Sequence, residues 1–391
     1  LSYTNRAVDE ICKTLSVITP EIDFIRIGSE LSCDPPFRSR LIENVLEACS
    51  TRREVHACIE GCRVFVGTVA TFSSKTDMFR LKTFDVAIVD EATQILEPQL
   101  LGLLCARDVA GNNAIGKFIL IGDHKQLPAV VLQSESQSEV CEECLQSIGL
   151  YNLKDSLFER LYRTVSADHS SPTTQRFYDM LCRQGRMNVE VAQFPNRAFY
   201  GGLLEAVGLP HQQGKLVLAP GLESDEFADI LVHRVAFLPS VPETPSQSAK
   251  INHFEARLTA RLAASVYRQY EASNSGFNSA LTLGVITPYR SQIALIKREI
   301  AALGIPVLND ILVDTVERFQ GSERDVIIYS FCVNRTYQLK FLANLTEEKG
   351  VWIDRKLNVA LTRARKQLFM TGVPHLLRQN PIYADLLDTV L

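Results

Sequence analysis

Two adjacent carboxylates, Asp90 and Glu91, follow a short apolar run in the segment Phe84–Ala92. Ligands of open parallel α/β sheets bind where the strands end, so we expect this pair to lie at a ligand-binding edge. Phosphoryl transfer needs an acid that holds Mg²⁺, here Asp90, and a neighbour that orients the attacking water, here Glu91. A solvated Asp-Glu pair at a strand end is the alternative when this segment is considered by itself.

A second apolar run, Phe118–Ile121, leads into the heptapeptide GDHKQLP, which begins at Gly122. In a parallel sheet its polar residues lie at the same edge as the carboxylate pair. The amide of Gln126 can hydrogen-bond a phosphate oxygen or the attacking water, and so report the state of the nucleotide. An ordinary Gly-Asp turn is the alternative for the heptapeptide alone.

The segment Leu357–Arg365 predicts a helix that carries Arg363 and Arg365 just before an apolar strand. Residues two apart on a helix point to different faces, so one guanidinium can reach a phosphate while the other supports the fold. A guanidinium that reaches a γ-phosphate from a second domain is an arginine finger. An exposed helix with two arginines is the alternative.

Two further segments of the second half carry polar residues next to predicted strands. Gln320, Gly321 and Glu323 form a predicted interdomain hinge between a strand and a helix. The tetrapeptide Thr287–Arg290 follows a strand, and its tyrosine and arginine can stack on and pair with a nucleic-acid strand. A simple strand-to-helix turn is the alternative for the tetrapeptide.

Short apolar runs that alternate with helical patterns predict a parallel α/β fold, because buried parallel strands are apolar on both faces. The predicted strands are Phe24–Ile27, Val64–Gly67, Val86–Val89 and Phe118–Ile121 in the first half, and Leu231–Phe237, Leu283–Ile286, Ile311–Val313, Val326–Phe331 and Gln367–Thr371 in the second.

Helices are predicted between these strands from apolar residues that recur every three or four positions. The two clearest patterns are Phe254, Leu258, Leu262 and Val266, and Ile293, Ile296, Ile300 and Leu303. Gly304 ends the second of these helices, and Leu376–Leu391 is a predicted closing helix. The polar stretch Thr164–Thr174 predicts a boundary between domains at residues 1–165 and 166–391, and Pro239–Ser248 predicts a loop.

The composition excludes a disordered chain and a membrane span. Of 391 residues 46% are hydrophobic, the net charge is −4, and no apolar run approaches the ~20 residues that a span needs. The slightly acidic balance excludes a uniformly basic surface but leaves room for a local basic groove. The 10 scattered cysteines are typical of a reducing compartment, which predicts an intracellular protein, cytoplasmic or nuclear.

Eight segments in order resemble the motifs of superfamily 1 helicases of the nonsense-mediated-decay and senataxin type. They are SYTNRAVDEI at Ser2–Ile11, VGTVATF at Val66–Phe72, VDEATQ at Val89–Gln94, GDHKQLPAVV at Gly122–Val131, QGRMNVEVAQFPNRAFYGGLL at Gln184–Leu204, VITPYRSQ at Val285–Gln292, DTVERFQGSERDVII at Asp314–Ile328 and LNVALTRARKQLFMTG at Leu357–Gly372. The resemblance implies two RecA-like domains of the P-loop NTPase type, with ATP between them and a single nucleic-acid strand across both.

The resemblance also implies roles for individual residues. Asp90 and Glu91 would hold Mg²⁺ and activate water, and Arg186 and Arg363 would reach the γ-phosphate. The residues implied to contact or sense the nucleotide are Gln94, Asp123, Gln126, Gln320, Gly321 and Glu323. Those implied to line the track of the strand are Thr4, Asn5, Thr68, Pro288, Tyr289 and Thr315.

Two departures from the family pattern stand out. The usual Gln-Tyr-Arg-Met is Gln184-Gly185-Arg186-Met187 here, so a stacking ring is missing. The sequence G-x-x-x-x-G-K-[ST], whose backbone and lysine hold phosphates, occurs nowhere in the chain. In this family that loop lies upstream of the motif matched by Ser2–Ile11. We therefore expect its place before Leu1 and expect this chain alone to be inactive. A naturally loop-less pseudo-enzyme is the alternative.

The predicted function is an ATP-dependent helicase or translocase on single-stranded RNA or DNA, and the resemblance implies 5′ to 3′ movement. Strand contacts through phosphates and stacking predict sequence-independent, salt-sensitive binding. The rival is a non-hydrolysing clamp that holds nucleic acid or a protein. A GTPase or kinase is a third possibility, which leaves the paired arginines without a role.

Overall fold

The computed structural model describes residues 1–18, 22–167, 177–243, 248–273, 275–348 and 350–391. The chain forms two compact units. The first contains Leu1–His124 and Pro128–Asp179, and the second contains Lys125–Leu127 and Met180–Leu391. The predicted boundary at residue 165 falls inside a helix of the first unit, and residues 168–174 of the predicted linker lie outside the described residues.

The first unit contains four strands and eight α-helices in its described part. The strands are β1 Phe24–Ile27, β2 Val64–Gly67, β3 Phe84–Val89 and β4 Ile115–Leu120. The helices are α1 Asn5–Ile18, α2 Ile42–Leu46, α3 Arg52–Gly61, α4 Val69–Ser74, α5 Glu97–Leu104, α6 Glu135–Ser138, α7 Glu143–Gln146 and α8 Leu157–Ala167. Short 3₁₀ helices lie at Glu30–Ser32, Pro35–Arg40, Thr76–Arg80 and Ala92–Gln94.

The first unit contains two parallel two-stranded sheets, one formed by β1 and β2 and the other by β3 and β4. Leu1 and Ser2 lie between the two pairs. The amide of Ser2 donates to Gly67 at the end of β2 (3.3 Å), and the amide of Asp90 donates to Leu1 (2.8 Å). Helices α4 and α5 pack near one face of the β3–β4 sheet, where Ala87 and Val89 of β3 are buried.

The outward side chains of β3 differ from the sequence prediction. Buried parallel strands were expected to be apolar and covered on both faces, but Val86 and Ile88 are 42% and 49% exposed. The described residues cover β3 only on the face that carries Ala87 and Val89. The continuous apolar run therefore predicts the strand correctly, but it predicts burial of a second face that the described residues leave exposed.

The second unit contains nine strands and ten α-helices in its described part. The strands are β5 Arg183–Gln184, β6 Glu205–Ala206, β7 Val235–Pro239, β8 Leu283–Ile286, β9 Leu312–Asp314, β10 Arg324–Ser330, β11 Leu345–Glu348, β12 Val351–Asp354 and β13 Ala364–Gly372. The helices are α9 Val189–Tyr200, α10 Pro210–Gln213, α11 Ala228–Leu231, α12 His253–Ala272, α13 Arg290–Ala301, α14 Val316–Phe319, α15 Leu339–Leu342, α16 Arg355–Leu361, α17 Pro374–Leu377 and α18 Pro381–Val390. Two 3₁₀ helices lie at Pro306–Asp310 and Thr336–Gln338.

Five parallel strands form the central sheet of the second unit in the order β7-β13-β10-β8-β9. Both faces of this sheet are covered. Val326 and Ile328 of β10 belong to the core that includes α12 and α13, whereas Ile327 and Tyr329 belong to the core that includes α9, α16 and α18. Two-sided burial explains why this strand is a continuous apolar run.

Two predicted elements of the second unit have different bounds in the structure. Leu231 ends the short helix α11, and β7 begins only at Val235. The predicted closing helix is two helices, α17 and α18, because Pro381 starts a new helix and the Asn380 side chain accepts from Ile382 N at 2.9 Å. Residues 244–247 of the predicted loop lie outside the described part of the chain.

None of the helices in the described ranges combines the length and the apolar character needed to cross a bilayer.

Candidate functional site

The predicted carboxylate pair lies at the carboxyl end of β3. Glu91 adopts a left-handed backbone conformation with φ of 54°, which is uncommon for a residue other than glycine. Its carboxylate accepts a hydrogen bond from Gln94 Nε2 at 2.8 Å. A strained backbone of this kind costs about 1–3 kcal/mol and persists where surrounding contacts fix it, as at functional sites. The structure thus brings Glu91 and Gln94 together, with Asp90 beside them.

The neighbouring strand β4 delivers Gly122 and Asp123 to the same edge of the sheet. The amide of Ile121 donates to Val89 (2.8 Å), and that of Ala92 donates to Ile121 (2.7 Å), so the two loops run side by side. A Cβ on Gly122 would lie 2.9 Å from Thr93 Cγ2 and 3.1 Å from Thr93 N. Glycine is therefore required where the two loops meet.

Of the predicted strand-binding residues of the first unit, Thr4 and Asn5 lie at the start of α1, and Thr68 follows the end of β2. Thr4 accepts from Ala7 N at 3.2 Å at the start of α1, where Asn5 is the first residue of the helix. Thr68 is buried, and its hydroxyl accepts from Thr71 N at 3.1 Å. The parallel bridge between Ser2 and Thr68 places these two segments next to each other.

Asp90 and Glu91 supply the donor type that Mg²⁺ prefers, since both are carboxylates. No cluster of three or more metal-ligating side chains occurs among the described residues. Mg²⁺ is commonly held by one or two carboxylates together with substrate phosphates, and the adjacent pair fits that mode. The residues present are therefore compatible with a magnesium nucleotide.

In the second unit, the side chain of Arg363 is buried and its position is fixed. Its Nε donates to Val359 O at 3.1 Å, and Nη2 donates to Gln126 Oε1 at 3.1 Å. A further bond of 3.4 Å joins Nη1 to Ser322 O. The structure therefore brings Gln126 and Arg363, two residues singled out from separate motifs, into direct contact.

Arg186 lies beside Arg363, because it contacts the preceding residue, Thr362, and it shares the Glu323 carboxylate with Arg365. Its Nε donates to Glu323 Oε2 at 2.7 Å, and Glu323 Oε1 lies 3.4 Å from Arg365 Nε. Arg186 Nη1 also donates to Thr362 O at 3.4 Å. The side chain of Arg186 remains 36% exposed, so this guanidinium is accessible to a ligand.

The helix that was predicted to carry both arginines ends before either of them. Helix α16 ends at Leu361, so Arg363 lies in the following turn and Arg365 lies within β13. The helix ends there because β13 begins at Ala364 and pairs with β10 from that residue onward. Arg365 forms ion pairs with Glu323 and Asp325 and so supports the fold, the role that the sequence predicted for one of the two arginines.

Gln320 and Gly321 follow helix α14 and precede β10, so their order relative to helix and strand is the reverse of the prediction. Gly321 has φ of 71°, a conformation that glycine adopts without strain. Gln320 Nε2 donates to Leu127 O at 3.4 Å, next to the segment that carries Gln126. A hinge role for these residues stays a prediction.

The three residues Lys125–Leu127 belong to the second unit although their neighbours belong to the first. Lys125 O accepts from Asn358 Nδ2 at 2.8 Å, and Lys125 Nζ lies 3.1 Å from Glu348 Oε2. Leu127 is buried in the core of the second unit. The sequence reasoning missed the roles of Lys125 and Asn358, and the adjacency of Lys125 to Gln126 was the available signal.

The predicted strand-binding residues of the second unit lie at the start of two helices. Pro288 and Tyr289 precede α13, and both are half-buried. Tyr289 Oη accepts from Gln338 Nε2 at 3.1 Å, and burial raises the pKa of the phenol. Thr315 precedes α14, where its amide donates to Asp314 Oδ1 at 2.8 Å.

A buried carboxyl group, Glu255, lies at the start of α12 and was missed from the sequence. It accepts from Ser330 Oγ at 2.8 Å and from Cys332 N at 2.9 Å, and burial raises its pKa to about 7. The apolar stripe predicted for this helix begins at Phe254, which is 41% exposed, whereas Glu255 is fully buried. Glu255 lies three residues before Leu258 and seven before Leu262, and this helical spacing was the available signal.

Comparison with known proteins places this geometry in a family. Two family models, each described as an AAA domain, match residues 38–134 and 153–375. The DNA replication ATP-dependent helicase/nuclease DNA2 of Mus musculus is 30% identical over 99% of this chain and 34% of its own length. The Xenopus laevis DNA2 is 31% identical over 96% of this chain and 33% of its own length.

An uncharacterized ATP-dependent helicase of Methanocaldococcus jannaschii is 29% identical over 89% of this chain and 44% of its own length. The chain thus spans about a third of the DNA2 relatives that it matches. Among solved structures, the arterivirus nonstructural protein 10 helicase aligns with 95% of this chain and 52% of its own, at 12% identity and a TM-score of 0.38.

The α/β fold with two parallel-sheet units of the P-loop NTPase type, predicted from the sequence, is confirmed. The family implies a nucleotide cofactor, while Mg²⁺ and the nonsense-mediated-decay and senataxin subgroup stay predictions. The family model that covers residues 153–375 spans more than half of the 391 residues. The chain therefore belongs to the AAA-domain family of superfamily 1 helicases.

Proposed function

We propose that this chain is the catalytic part of an ATP-dependent helicase or translocase that moves along single-stranded nucleic acid. The observation that carries the proposal is the bond of 3.1 Å between Arg363 Nη2 and Gln126 Oε1. It joins the glutamine of one motif, a hydrogen-bonding group suited to sensing a nucleotide, to the arginine of another. A change at either residue is therefore transmitted to the other.

In the first unit, Asp90 is proposed to bind the magnesium of the nucleotide, and Glu91 to orient the attacking water. Bound Mg-ATP supplies the phosphoryl group that is transferred to water. Gln94 holds the Glu91 carboxylate in place through its bond of 2.8 Å. The left-handed backbone of Glu91 fixes where that carboxylate points.

In the second unit, Arg186 is the proposed arginine finger. Its partner Glu323 is a carboxylate, and a phosphate offers the same type of acceptor with more charge. A phosphate that approaches Arg186 would therefore replace Glu323. Arg363 is more deeply buried, and we propose that it carries the response to Gln126.

Strand binding is proposed for Thr4, Asn5 and Thr68 of the first unit and for Pro288, Tyr289 and Thr315 of the second. Contacts of this kind, to phosphates and base faces, give sequence-independent binding that weakens with salt. The DNA2 relatives are named for DNA replication, so single-stranded DNA is the first substrate to test, with RNA beside it.

The decisive experiment measures ATP turnover by the full-length gene product, with and without single-stranded DNA or RNA. Glu91→Gln keeps the shape of the side chain and removes the charge that orients water. We expect strand-stimulated turnover to fall by about 100-fold or more. Binding of a fluorescent strand should stay within about twofold of the wild type.

Asp85→Asn is the matched control, because Asp85 is an exposed carboxylate at the opposite end of the same strand β3. It should leave turnover unchanged. If the wild-type protein binds strands but shows no turnover, the motor is refuted and the non-hydrolysing clamp takes its place. If Glu91→Gln and Asp85→Asn behave alike, the assigned role of Glu91 is wrong.

A further inference from the structure

Three large aromatic side chains are exposed in one short stretch of the second unit, residues 335–354. Tyr337 is 56% exposed, Phe341 is 66% exposed and Trp352 is 54% exposed. The rings of Tyr337 and Phe341 contact each other edge to face, with centroids 6.5 Å apart. A contacting pair of exposed rings, with a third exposed ring on the same stretch of chain, points to a binding surface.

Trp352 stands on a β-hairpin with a firmly held base. Strands β11 and β12 pair antiparallel, and Trp352 lies opposite Glu347. At the base, Asp354 is fully buried and accepts from Asn344 N at 3.0 Å and from Tyr383 Oη at 2.7 Å. The hairpin therefore presents the indole on a defined scaffold, at little conformational cost to a ligand.

This stretch contacts one of the proposed strand-binding residues of the second unit, Tyr289. Gln338, next to Tyr337, donates to Tyr289 Oη at 3.1 Å. Lys356, two residues beyond the hairpin, lies 3.4 Å from Glu317 of the helix that follows Thr315. The segment that carries Tyr337 therefore lies next to Tyr289 of the proposed track.

The charges around the aromatic residues favour a polyanion as the occupant. Among the described residues of segments 288–292, 314–320 and 335–354, the exposed basic ones are Arg290, Arg318, Arg335 and Lys340, and the exposed acidic ones are Glu317 and Glu347. Basic side chains interleaved with aromatic rings are the pattern by which proteins hold single strands without reading their sequence.

We propose that bases of a single nucleic-acid strand stack on Trp352, Phe341 and Tyr337, and that this aromatic surface extends the strand-binding track of the second unit. The proposal rests on the strand binding proposed above and adds the hairpin to it. Every base has a π-face, so this contact is independent of sequence.

The experiment uses the fact that Trp352 is the only tryptophan of the chain. The full chain is titrated with an oligothymidylate of about 15 nucleotides, a length within the range of single-strand sites. Tryptophan emission and the anisotropy of a fluorescein-labelled copy are followed together. We expect emission to fall by about half or more, with the same midpoint as the anisotropy, because stacked bases quench the indole.

The two readouts separate the failure of this inference from the failure of the proposed function. Saturating anisotropy with unchanged emission would show that the strand binds away from Trp352, and it would overturn the hairpin contact alone. A protein partner would then be the better candidate for the aromatic surface. An absence of any anisotropy change would overturn both strand binding and stacking.

Variants supply the second test. Trp352→Ala should weaken oligothymidylate binding about five- to tenfold, and Trp352→Tyr should restore it to within about twofold, since a phenol ring also stacks. Val351→Ala is the matched control, because Val351 is 53% exposed on the other face of the same hairpin. Equal affinities for Trp352→Ala and Val351→Ala, with both variants folded by circular dichroism, would refute the proposal.

Discussion

The buried carboxyl group of Glu255 should make the stability of the second unit fall as pH rises toward neutrality. The group is fully buried and accepts from Ser240 Oγ at 3.0 Å, from Ser330 Oγ at 2.8 Å and from Cys332 N at 2.9 Å. Burial raises its pKa from 4.5 to about 7, and these hydrogen bonds offset only part of that rise. Glu255→Gln removes the titration while it keeps the shape.

The raised pKa of Glu255 determines both the size and the sign of its effect on the free energy of unfolding. In the folded chain Glu255 holds its proton up to about pH 7, whereas in the unfolded chain it loses it near pH 4.5. The favourable contribution of protonated Glu255 to the free energy of unfolding is therefore complete below about pH 4.5 and is lost as pH rises through about 7. A rise of the pKa from 4.5 to about 7 corresponds to roughly 3 kcal/mol. Glu255→Gln should therefore stabilise the second unit by up to roughly 3 kcal/mol at pH 8, and by much less at pH 5.

Urea unfolding of the full chain between pH 5 and pH 8 tests this expectation. Trp352 lies in the second unit, so its emission reports the unfolding of that unit. The quantity to compare is the free energy of unfolding of Glu255→Gln minus that of the wild type, at each pH. Glu347→Gln, at an exposed carboxylate of the same unit, is the control. A difference that stays constant across this pH range would refute the reasoning.

Two further changes test the first unit by urea unfolding. Gly122→Ala should destabilise it by about 1–3 kcal/mol, because the added Cβ would lie 2.9 Å from Thr93 Cγ2, and an unchanged stability would contradict that close approach. Arg160→Met should cost about 2 kcal/mol or more, because it leaves the largely buried Glu97 carboxylate without the two bonds of 2.7 and 2.6 Å that Arg160 donates. Arg163→Met, at an exposed ion pair, should cost less than about 1 kcal/mol, and equal losses at the two sites would contradict the prediction.

The strands were predictable because their sequence signals are local. β1, β2 and β8 have the predicted bounds, since each is a short apolar run between turn or polar residues. The clustering of polar residues at strand ends was also predictable, because parallel strands share their carboxyl edge. The prediction was weaker where tertiary contacts decide, as at the end of α16, where pairing of β13 with β10 ends the helix before Arg363.

The hairpin at β11 and β12 was not predicted, although Gly350 with alternating residues around it was a usable turn signal. Its function depends on exposure, and no sequence pattern distinguishes an exposed Trp352 from a buried one. The left-handed conformation of Glu91 was equally out of reach, because carboxylate residues rarely adopt it and only its surroundings hold it there.

The membership of Lys125–Leu127 in the second unit constrains how this protein folds while the ribosome makes it. Asn358, which donates to Lys125 O, is translated 233 residues later. At about 5–20 residues per second, the segment waits roughly 10–50 s for that partner. During this interval Leu127, an apolar residue of the second core, has no core to enter. The first unit therefore emerges before this segment can take its place in the second core.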